Sequence, residues 1–548
     1  MRVLIRRFRT LLRLVGRTIR RFRNSVAQLA TAAVMQWLFK RKNYESVVRI
    51  GQRAEARFGI HANSEAIRAQ AYLQMGQVET SLLHAGQAVK LNSMSLERRA
   101  ALLGIMGRVN ETDRRWHVSV SPKYLAPQTR EPKSVLYLAK ESLPWQNNGY
   151  CTRSHETLLA IRTAGYHPVA VTLPGYPEKQ KDITSSTVEG IEYRHILPGS
   201  LPVMKLPFDK SVQFSTDLYA VEMQKIRPEI LHVGSGHRGY ETALVGEALS
   251  RWADIPWVYE VRSFFETTWT ADSRYMENSD YFERRLKTES WAMAKADLVI
   301  TLSGPMRDEI INVHGIDPER VVQLPNAVDI TRFEKAEPNL ELKKKLGLDG
   351  SFVLGYVSNL DHFREGQEVL IEGVAKLRKR GINASLLLVG EGRRRKELEA
   401  LAKKLGLGAA AVFTGNVPFD EVDSYYSLID LFVVPRVDER AGRLVSPMKP
   451  FEAMAMEVPI MVSDLPALVE IAQDGRCAVF KHENPQDLAD VAQDLIENPA
   501  KMTALVDAAK VWVKTERTWD VNARTLAQAY ELAHQNFLAR RKAGTNVG

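Results

Sequence analysis

The segment PMKPFEAMA, residues 447–455, places Lys449 three positions before Glu452. Short apolar runs lie on both sides of it, Leu431 to Val434 before and Pro459 to Ser463 after. This pattern predicts strand, loop, helix and strand, with the loop at the carboxyl end of a parallel strand. A lysine at a helix start attracts phosphate, and a neighbouring carboxylate accepts hydrogen bonds from sugar hydroxyls. The two residue types together indicate a nucleotide-sugar site.

Length and cysteine content exclude several classes of protein. A chain of 548 residues predicts about three or four domains. Apolar residues make up 45% of the chain, which is ordinary for a soluble protein and fills sizeable cores. The two cysteines, Cys151 and Cys477, lie far apart in the sequence. They argue against a disulfide scaffold or a cysteine-rich zinc site and fit a reducing compartment.

The positive charge of the chain is concentrated at its start. The formal net charge is +10, but residues 1–42 contain nine arginines before Asn24, then Lys40, Arg41 and Lys42, and no acidic residue. That segment carries a charge of +12, so the other 506 residues sum to −2. The basicity is therefore a local property and does not describe the body of the protein.

Residues 1–23 have the pattern of an amphipathic helix. Arginines recur every three or four positions on one face, and leucines and phenylalanines recur in the same way on another. The pattern favours an anionic membrane surface as partner, with a cytoplasmic protein lying peripherally on the inner membrane face. The next apolar stretch, Val26 to Phe39, is too short and polar to span a bilayer. An organellar presequence, a solvated helix and a basic tail for nucleic acid remain alternatives, although we expect no nucleic-acid partner because no nucleic-acid-binding fold is recognised.

The next region, residues 43–120, is predicted to be helical. Residues 43–58 and 77–92 align at a spacing of 34, which places Tyr44 opposite Val78. A period of 34 is typical of tetratricopeptide repeats and would give this region a protein partner. An ordinary helical bundle explains the pattern nearly as well.

Two α/β halves follow the helical region. Short apolar runs of strand type alternate with helical stretches, beginning at Ser134 and again at Phe352. The alternation predicts an α/β fold with two doubly wound, Rossmann-like domains that face a cleft, preceded by an all-α region. The predicted strands of the first half are 134–139, 167–172, 230–233, 257–261 and 298–302.

The same reasoning predicts the limits of five regions. They are a basic segment, a helical region, an acceptor-side domain, a donor domain and a C-terminal helix that packs back across the domains. Their predicted limits are residues 1–42, 43–120, 133–325, 326–510 and 511–548, respectively.

Six short motifs occur in the order and at the spacing of a known family. They are SLPWQNNGYCTRSH (142–155), YEVRSFFE (259–266), LPNAVD (324–329), LLLVGEG (386–392), VFTGNVP (412–418) and PMKPFEAMA (447–455). They resemble the corresponding motifs of the retaining, GT-B type glycosyltransferases of family 4, over roughly residues 134–535. The resemblance implies a nucleotide-sugar donor and a glycan or lipid-linked acceptor.

The resemblance also implies which residues contact the donor. Gly149 would approach the donor diphosphate, Glu452 would bind ribose hydroxyls, and the turns of LLLVGEG and VFTGNVP would hold the base. The donor-binding residues expected on this basis are Gly149, Asn359, Gly390, Gly415, Asn416, Lys449 and Glu452.

The sequence departs from the family where the diphosphate is usually neutralised. Many members carry an arginine and a lysine in a pattern like GR…RKG, whereas SNLDHFREG has Asn359 and Glu365 at those positions. Some cation must stabilise the departing diphosphate. Arg364 and Lys449 remain as the catalytic candidates for that role.

Glu439, in DERAG, resembles the glutamate of the family's E-x-x-G motif at the donor sugar. The family's two glutamates are usually eight residues apart, whereas Glu439 lies thirteen residues before Glu452. Glu439 is a further catalytic candidate, and a solvated loop carboxylate is the alternative.

The acceptor side offers two histidines and one charged pair. His232 and His237 lie in ILHVGSGHRG, at the end of a predicted strand, where a histidine could face the cleft. His237 is the catalytic candidate, which would orient the acceptor or the sugar. We expect His232, Arg262 and Glu266 to bind the acceptor, although an Arg–Glu pair four residues apart is also an ordinary structural pairing.

These features predict a retaining, metal-independent glycosyltransferase of hexosyltransferase type. The sequence shows no convincing DxD cluster, so no metal and no cofactor is expected, and the nucleotide-sugar is a substrate. One alternative is a catalytically degenerate scaffold protein of polysaccharide assembly, which Asn359 and Glu365 favour. Another is a nucleotide-sugar epimerase of similar two-domain shape, which would lack an acceptor motif like YEVRSFFE.

Overall fold

The computed structural model describes residues 24–197, 199, 203–267, 269–270, 272–418 and 421–545. The predicted amphipathic segment 1–23 lies outside the described residues. Helix α1 covers 24–40 within the described part, and the helices that follow it are α2 (Tyr44–Phe58), α3 (Ala62–Gln74), α4 (Val78–Leu91) and α5 (Leu96–Glu111).

The predicted helical region is confirmed. Helices α2 and α4 begin 34 residues apart, and so do α3 and α5. Small buried residues, among them Ala54, Ala71 and Ala88, let these helices pack closely. The identity of the repeat as a tetratricopeptide stays a prediction.

The first α/β domain is built on one sheet, in which the described residues form eight strands. The strands are β1 (Ser134–Ala139), β2 (His167–Thr172), β3 (Ser185–Val188), β4 (Ile191–Arg194), β5 (Ile230–Gly234), β6 (Trp257–Val261), β7 (Leu298–Thr301) and β8 (Val321–Gln323). Their order is β3-β4-β2-β1-β5-β6-β7-β8, and β3 alone among these described strands pairs antiparallel. The central strands are buried on both faces, which is why they read as continuous apolar runs.

Helices cover both faces of this sheet. They are α6 (Gly149–Thr163), α7 (Phe208–Ile226), α8 (Glu241–Ala253), α9 (Ser273–Met276), α10 (Asp280–Lys295) and α11 (Gly304–Asn312). Two apolar cores result, one on each side of the sheet.

The second α/β domain has a parallel sheet, to which the described residues contribute six strands. The strands are β9 (Phe352–Val357), β10 (Ala384–Val389), β11 (Ala411–Phe413), β12 (Leu431–Val434), β13 (Ile460–Ser463) and β14 (Ala478–Phe480), in the order β11-β10-β9-β12-β13-β14. The helices are α12 (Leu340–Lys345), α13 (Gln367–Lys379), α14 (Arg395–Lys404), α15 (Val422–Tyr426), α16 (Arg440–Leu444), α17 (Lys449–Ala455), α18 (Pro466–Ala472), α19 (Pro485–Glu497) and α20 (Pro499–Glu516).

The chain crosses between the domains twice, along neighbouring paths. The backbone N–H of Val328, on the outward crossing, donates to the carbonyl of Arg517 on the return crossing at 2.9 Å. Helix α21 (Trp519–Thr545) then packs on the first domain, where Tyr530 enters one of its cores. No helix of the described residues is long and apolar enough to cross a membrane.

Candidate active site

The carboxyl ends of the parallel strands bring most of the predicted residues to two facing edges. In open α/β sheets this edge binds the ligand. On the first domain the residues that follow β1, β5 and β6 are Gly149, His237, Arg262 and Glu266; on the second domain those that follow β9 to β12 are Asn359, Arg364, Gly390, Gly415, Asn416 and Glu439. The edges meet where Oγ of Ser303, after β7, donates to the carbonyl of Leu444 at 2.6 Å.

Lys449 and Glu452 lie together at the start of α17, as their spacing predicts. Nζ of Lys449 is 3.1 Å from each carboxylate oxygen of Glu452. Glu452 is 4% exposed, whereas the Lys449 side chain is 35% exposed. The carboxylate is therefore held in one orientation, while the ammonium group stays accessible to an anion.

Tyr426 is a third member of this group, which sequence reasoning missed. Its hydroxyl donates to Oε2 of Glu452 at 2.7 Å. Burial and the Glu452 carboxylate raise the pKa of Tyr426 well above its usual value, so the hydroxyl remains a donor. No local signal marks this tyrosine, because it lies 26 residues before its partner.

Glu365, the residue at the family's lysine position, is neutralised within the protein. Arg436 pairs with it at 3.3 Å, and the Tyr356 hydroxyl donates to it at 2.6 Å. Burial alone raises the pKa of Glu365, but Arg436, Arg364 and Tyr356 outweigh this and lower the pKa to about 2. The Arg364 side chain remains 34% exposed, and Asn359 is exposed on the same connection. Sequence reasoning missed Arg436.

The glycines at the expected base-binding turns are required by the backbone. Gly390 has a φ of 143°, and a Cβ there would lie 1.9 Å from the carbonyl oxygen of Ser358. Gly415 has a φ of 76° and forms an isolated bridge with Gly390. Asn416, next to this bridge, is exposed. The pair fixes the path of both turns and presents Asn416 to solvent.

Gly149 starts helix α6, which Asn148 caps through its side chain and the N–H of Cys151 at 3.0 Å. A Cβ at Gly149 would meet no described atom within 4 Å. Protein packing therefore does not require a glycine here, and the space in front of it is open to a ligand.

Glu439 caps the short helix α16. Its Oε1 accepts from the N–H of Gly442 at 3.1 Å. A Cβ on Gly442 would lie 2.5 Å from the carbonyl oxygen of Val437. The E-x-x-G spacing is therefore explained by the helix cap and by the close approach of Gly442 to Val437. The second carboxylate oxygen of the half-buried Glu439 is left for other contacts.

Arg262 and Glu266 do not pair with each other. Arg262 is buried and donates to Glu260 at 2.7 Å and to Ser154 at 2.7 Å. Glu260 also pairs with Arg153 of α6, and its pKa lies well below the usual value because the two guanidinium groups outweigh the effect of burial. This buried network supports helix α6 behind Gly149.

The two histidines occupy different environments. His232 lies within β5, has no exposed surface, and shares a hydrogen bond of 2.8 Å with the Tyr530 hydroxyl. The structure does not bring His232 to the cleft surface. His237 is an exposed residue in the otherwise mostly buried loop after β5. Desolvation and the nearby cation of Lys140 lower the pKa of His237, which favours the neutral imidazole.

Lys140, directly after β1, is a cation on the first-domain edge that sequence reasoning missed. Its Nζ lies 4.2 Å from the ring centroid of Tyr150 and 3.6 Å from Glu141. Its position after a predicted strand, in LYLAK, was a usable signal. No group of three or more histidine, cysteine or acidic side chains that could hold a metal ion occurs among the described residues.

Comparison with known proteins places both α/β domains in one class. Residues 148–327 match the family model described as a glycosyl transferase 4-like domain, and residues 351–498 match glycosyl transferases group 1. The matched ranges fall on the two facing sheets. The chain is a glycosyltransferase of the GT-B fold, and the predicted family and fold class are confirmed.

Named relatives support the same class. The chain is 27% identical to 2-deoxystreptamine glucosyltransferase of Streptomyces kanamyceticus over 50% of this chain and 70% of that protein. It is 27% identical to a GDP-mannose-dependent alpha-(1-6)-phosphatidylinositol monomannoside mannosyltransferase of Mycolicibacterium smegmatis, over 42% of this chain and 62% of that one. Among solved structures, sucrose-phosphate synthase of Thermosynechococcus elongatus has the same fold, with a TM-score of 0.60, 20% identity, and coverage of 74% and 99%.

Proposed function

We propose that this glycosyltransferase moves a sugar from a nucleotide-sugar to a growing polysaccharide or lipid-linked glycan, with retention of configuration and without a metal ion. One observation carries the proposal. A partly exposed Lys449 ammonium lies beside a Glu452 carboxylate that Tyr426 holds in place, at the start of a helix facing the cleft. A cation for phosphate and an oriented acceptor for hydroxyls are the two features that a nucleotide-sugar requires.

In the proposed reaction the bond from the anomeric carbon to the diphosphate oxygen breaks, and the acceptor hydroxyl attacks on the same face. The acceptor proton passes to the departing phosphate. Lys449 and Arg364 stabilise the charge that develops on the diphosphate, while Glu452 holds the ribose. The protein acts by positioning and charge stabilisation and needs no nucleophile of its own.

The remaining cleft residues take supporting roles in this proposal. Glu439 offers its second oxygen to the donor sugar, and His237, as a neutral imidazole, orients the acceptor or the sugar. Gly149 leaves room for the diphosphate. Arg262 does not contact the substrate in this proposal. Its guanidinium group pairs with Glu260 and so supports helix α6, which carries Gly149.

Assay of the purified protein with a panel of nucleotide-sugars tests this function. We expect transfer or slow hydrolysis of one donor, and NMR of the product should show the anomeric configuration of that donor. An inverted product would contradict retention. No turnover of any donor, together with no nucleotide binding by calorimetry, would instead support the degenerate scaffold, which the departures at Asn359 and Glu365 favour.

Chelation is expected to leave most of the transfer activity intact. Lys449 and Arg364 can neutralise the diphosphate, and the described residues offer no metal-binding cluster. The measurement is the initial rate before and after dialysis against EDTA, with acceptor binding checked separately. An absolute requirement for Mg²⁺ or Mn²⁺ in the transfer step would contradict this expectation.

Deletion of residues 1–23 is expected to release the protein from anionic vesicles, most clearly at low salt. Each arginine near an anionic surface contributes about 1 kcal/mol, and the leucine and phenylalanine face inserts shallowly. Donor hydrolysis should barely change, whereas transfer to a lipid-linked acceptor should fall. Vesicle co-sedimentation measures the effect, and neutral vesicles are the control. Equal vesicle binding by the full-length and truncated proteins would contradict the membrane-surface proposal and favour the alternative of a solvated helix.

A further inference from the structure

The loop between β12 and α17, residues 435–448, is held by the opposite domain. We call it the donor loop, because it carries Glu439 and ends beside Lys449. Its Leu444 carbonyl accepts from Ser303 at 2.6 Å, and its Ser446 carbonyl accepts from Nδ2 of Asn326 at 2.7 Å. The loop therefore takes part of its support from Ser303 of the acceptor-side domain and from Asn326 at the start of the crossing between the domains.

Arg440 makes the buried charged contacts between this loop and the first domain. Its Nε donates to Oε1 of Glu266 at 2.7 Å, and its Nη2 lies 2.7 Å from Oε1 of Glu309. Glu266 has no exposed surface, and the Arg440 side chain is only 11% exposed. Arg440 also lies over the ring of Phe264, 5.1 Å from its centroid. A cation of the second domain is thus buried between two carboxylates of the first, where such a contact is sensitive to geometry.

The helical region contacts the segment that carries Glu266. We call the connection from β6 to the first turn of α10, residues 262–281, the acceptor-side segment. The Thr270 hydroxyl donates to Gln74 at 3.3 Å, and the N–H of Tyr281 donates to the carbonyl of Gly76 at 3.0 Å. The acceptor-side segment therefore presents Glu266 to Arg440 from a supported position.

We propose that Arg440 is a positioning residue, which couples the acceptor-side segment to the donor loop. Its pairing with Glu266 and Glu309 orients helix α16, and through that helix it sets the position of Glu439, which caps the helix. The donor site is then fully assembled only when the two domains are in contact. This inference rests on the proposed donor site at Lys449 and Glu452.

The Arg440 contact should therefore affect the rate of sugar transfer more than the affinity for the nucleotide. The nucleotide contacts Glu452, Lys449 and the turns of the second domain, none of which needs the first domain. The transferred sugar lies beside Glu439, and a small displacement there lowers the rate of the chemical step far more than the affinity. Loss of the Arg440 contact should therefore lower kcat and leave nucleoside diphosphate affinity nearly unchanged.

Four variants of the full-length protein test the inference: Arg440→Gln, Arg440→Lys, Glu266→Gln and the double variant Arg440→Gln/Glu266→Gln. Each is assayed for kcat and donor KM, for nucleoside diphosphate affinity by calorimetry, and for its unfolding midpoint. Arg440→Gln should lower kcat at least about tenfold, with less than about a threefold change in affinity. The double variant should be no slower than Arg440→Gln, because Glu266→Gln removes a contact, Arg440 to Glu266, that Arg440→Gln has already removed. Arg380→Gln, which removes an exposed pair with Asp490 in the same domain, is the matched control.

Arg440→Lys keeps the charge but loses the second arm of the guanidinium group, so it should recover only part of the rate. This variant also replaces Arg440→Gln if the latter does not fold. The inference is overturned if the two single effects multiply in the double variant, or if Arg440→Lys and Glu266→Gln both retain the wild-type kcat. Full activity of Lys449→Ala would instead contradict the donor site itself, so the two failures are distinguishable.

Discussion

Replacement of Lys449 by alanine is expected to lower kcat for sugar transfer about a hundredfold, because its cation acts mainly on the charge that develops in the transition state. Lys449 is partly exposed, and the Tyr426 hydroxyl still donates to Glu452 after the change, so the fold should survive. Initial rates at saturating donor measure the effect. Retention of full activity by Lys449→Ala would show that the diphosphate lies elsewhere.

Glu452→Ala distinguishes ribose binding by Glu452 from charge stabilisation by Lys449. It should mainly raise the donor KM, because it removes hydrogen bonds to the ribose that are similar in the ground and transition states. Tyr426 would then lose its acceptor, so Glu452→Gln, which keeps an oxygen for that hydroxyl, is the milder control. A fall in kcat alone for Glu452→Ala would contradict the assigned role.

The second large effect is expected on stability. Arg436→Gln should destabilise the donor domain by about 3–5 kcal/mol, because it leaves the buried Glu365 carboxylate without its main cation. Urea unfolding at pH 7 measures the change. Arg380→Gln, which removes an exposed pair of the same domain, should have little effect. Adding Glu365→Gln to Arg436→Gln should recover part of the loss, and no recovery would contradict this explanation.

The pH dependence of this pair follows from the pKa of Glu365. In the folded protein the pKa is about 2, below the ordinary value of 4.5. The carboxylate therefore stabilises the fold above pH 4.5, and this contribution is lost as the pH falls from 4.5 toward 2. The stability difference between wild type and Glu365→Gln should shrink over that interval.

Sequence periodicity was sufficient to predict the architecture. The runs 134–139, 167–172 and 257–261 are strands with those limits in the structure. The first and third are buried along their whole length, and a parallel strand buried on both faces is mostly apolar. The sequence also predicted that Lys449 and Glu452 lie together, because residues three positions apart are neighbours on one face of a helix. The helix begins at Lys449, as the sequence pattern predicts. Local geometry alone determines such features, so a single sequence contains them.

Tertiary structure decided which charges meet. Glu266 pairs with Arg440, 174 positions away, rather than with Arg262. Glu365, which follows β9, pairs with Arg436, which follows β12. Such pairs form because burial penalises an unpaired charge, and the nearest partner is then set by which strand ends become neighbours in the folded sheets. Residue types and spacing determined where the carboxylates and cations lie in the chain. Only the packing of two sheets determined which of them remain accessible to a substrate.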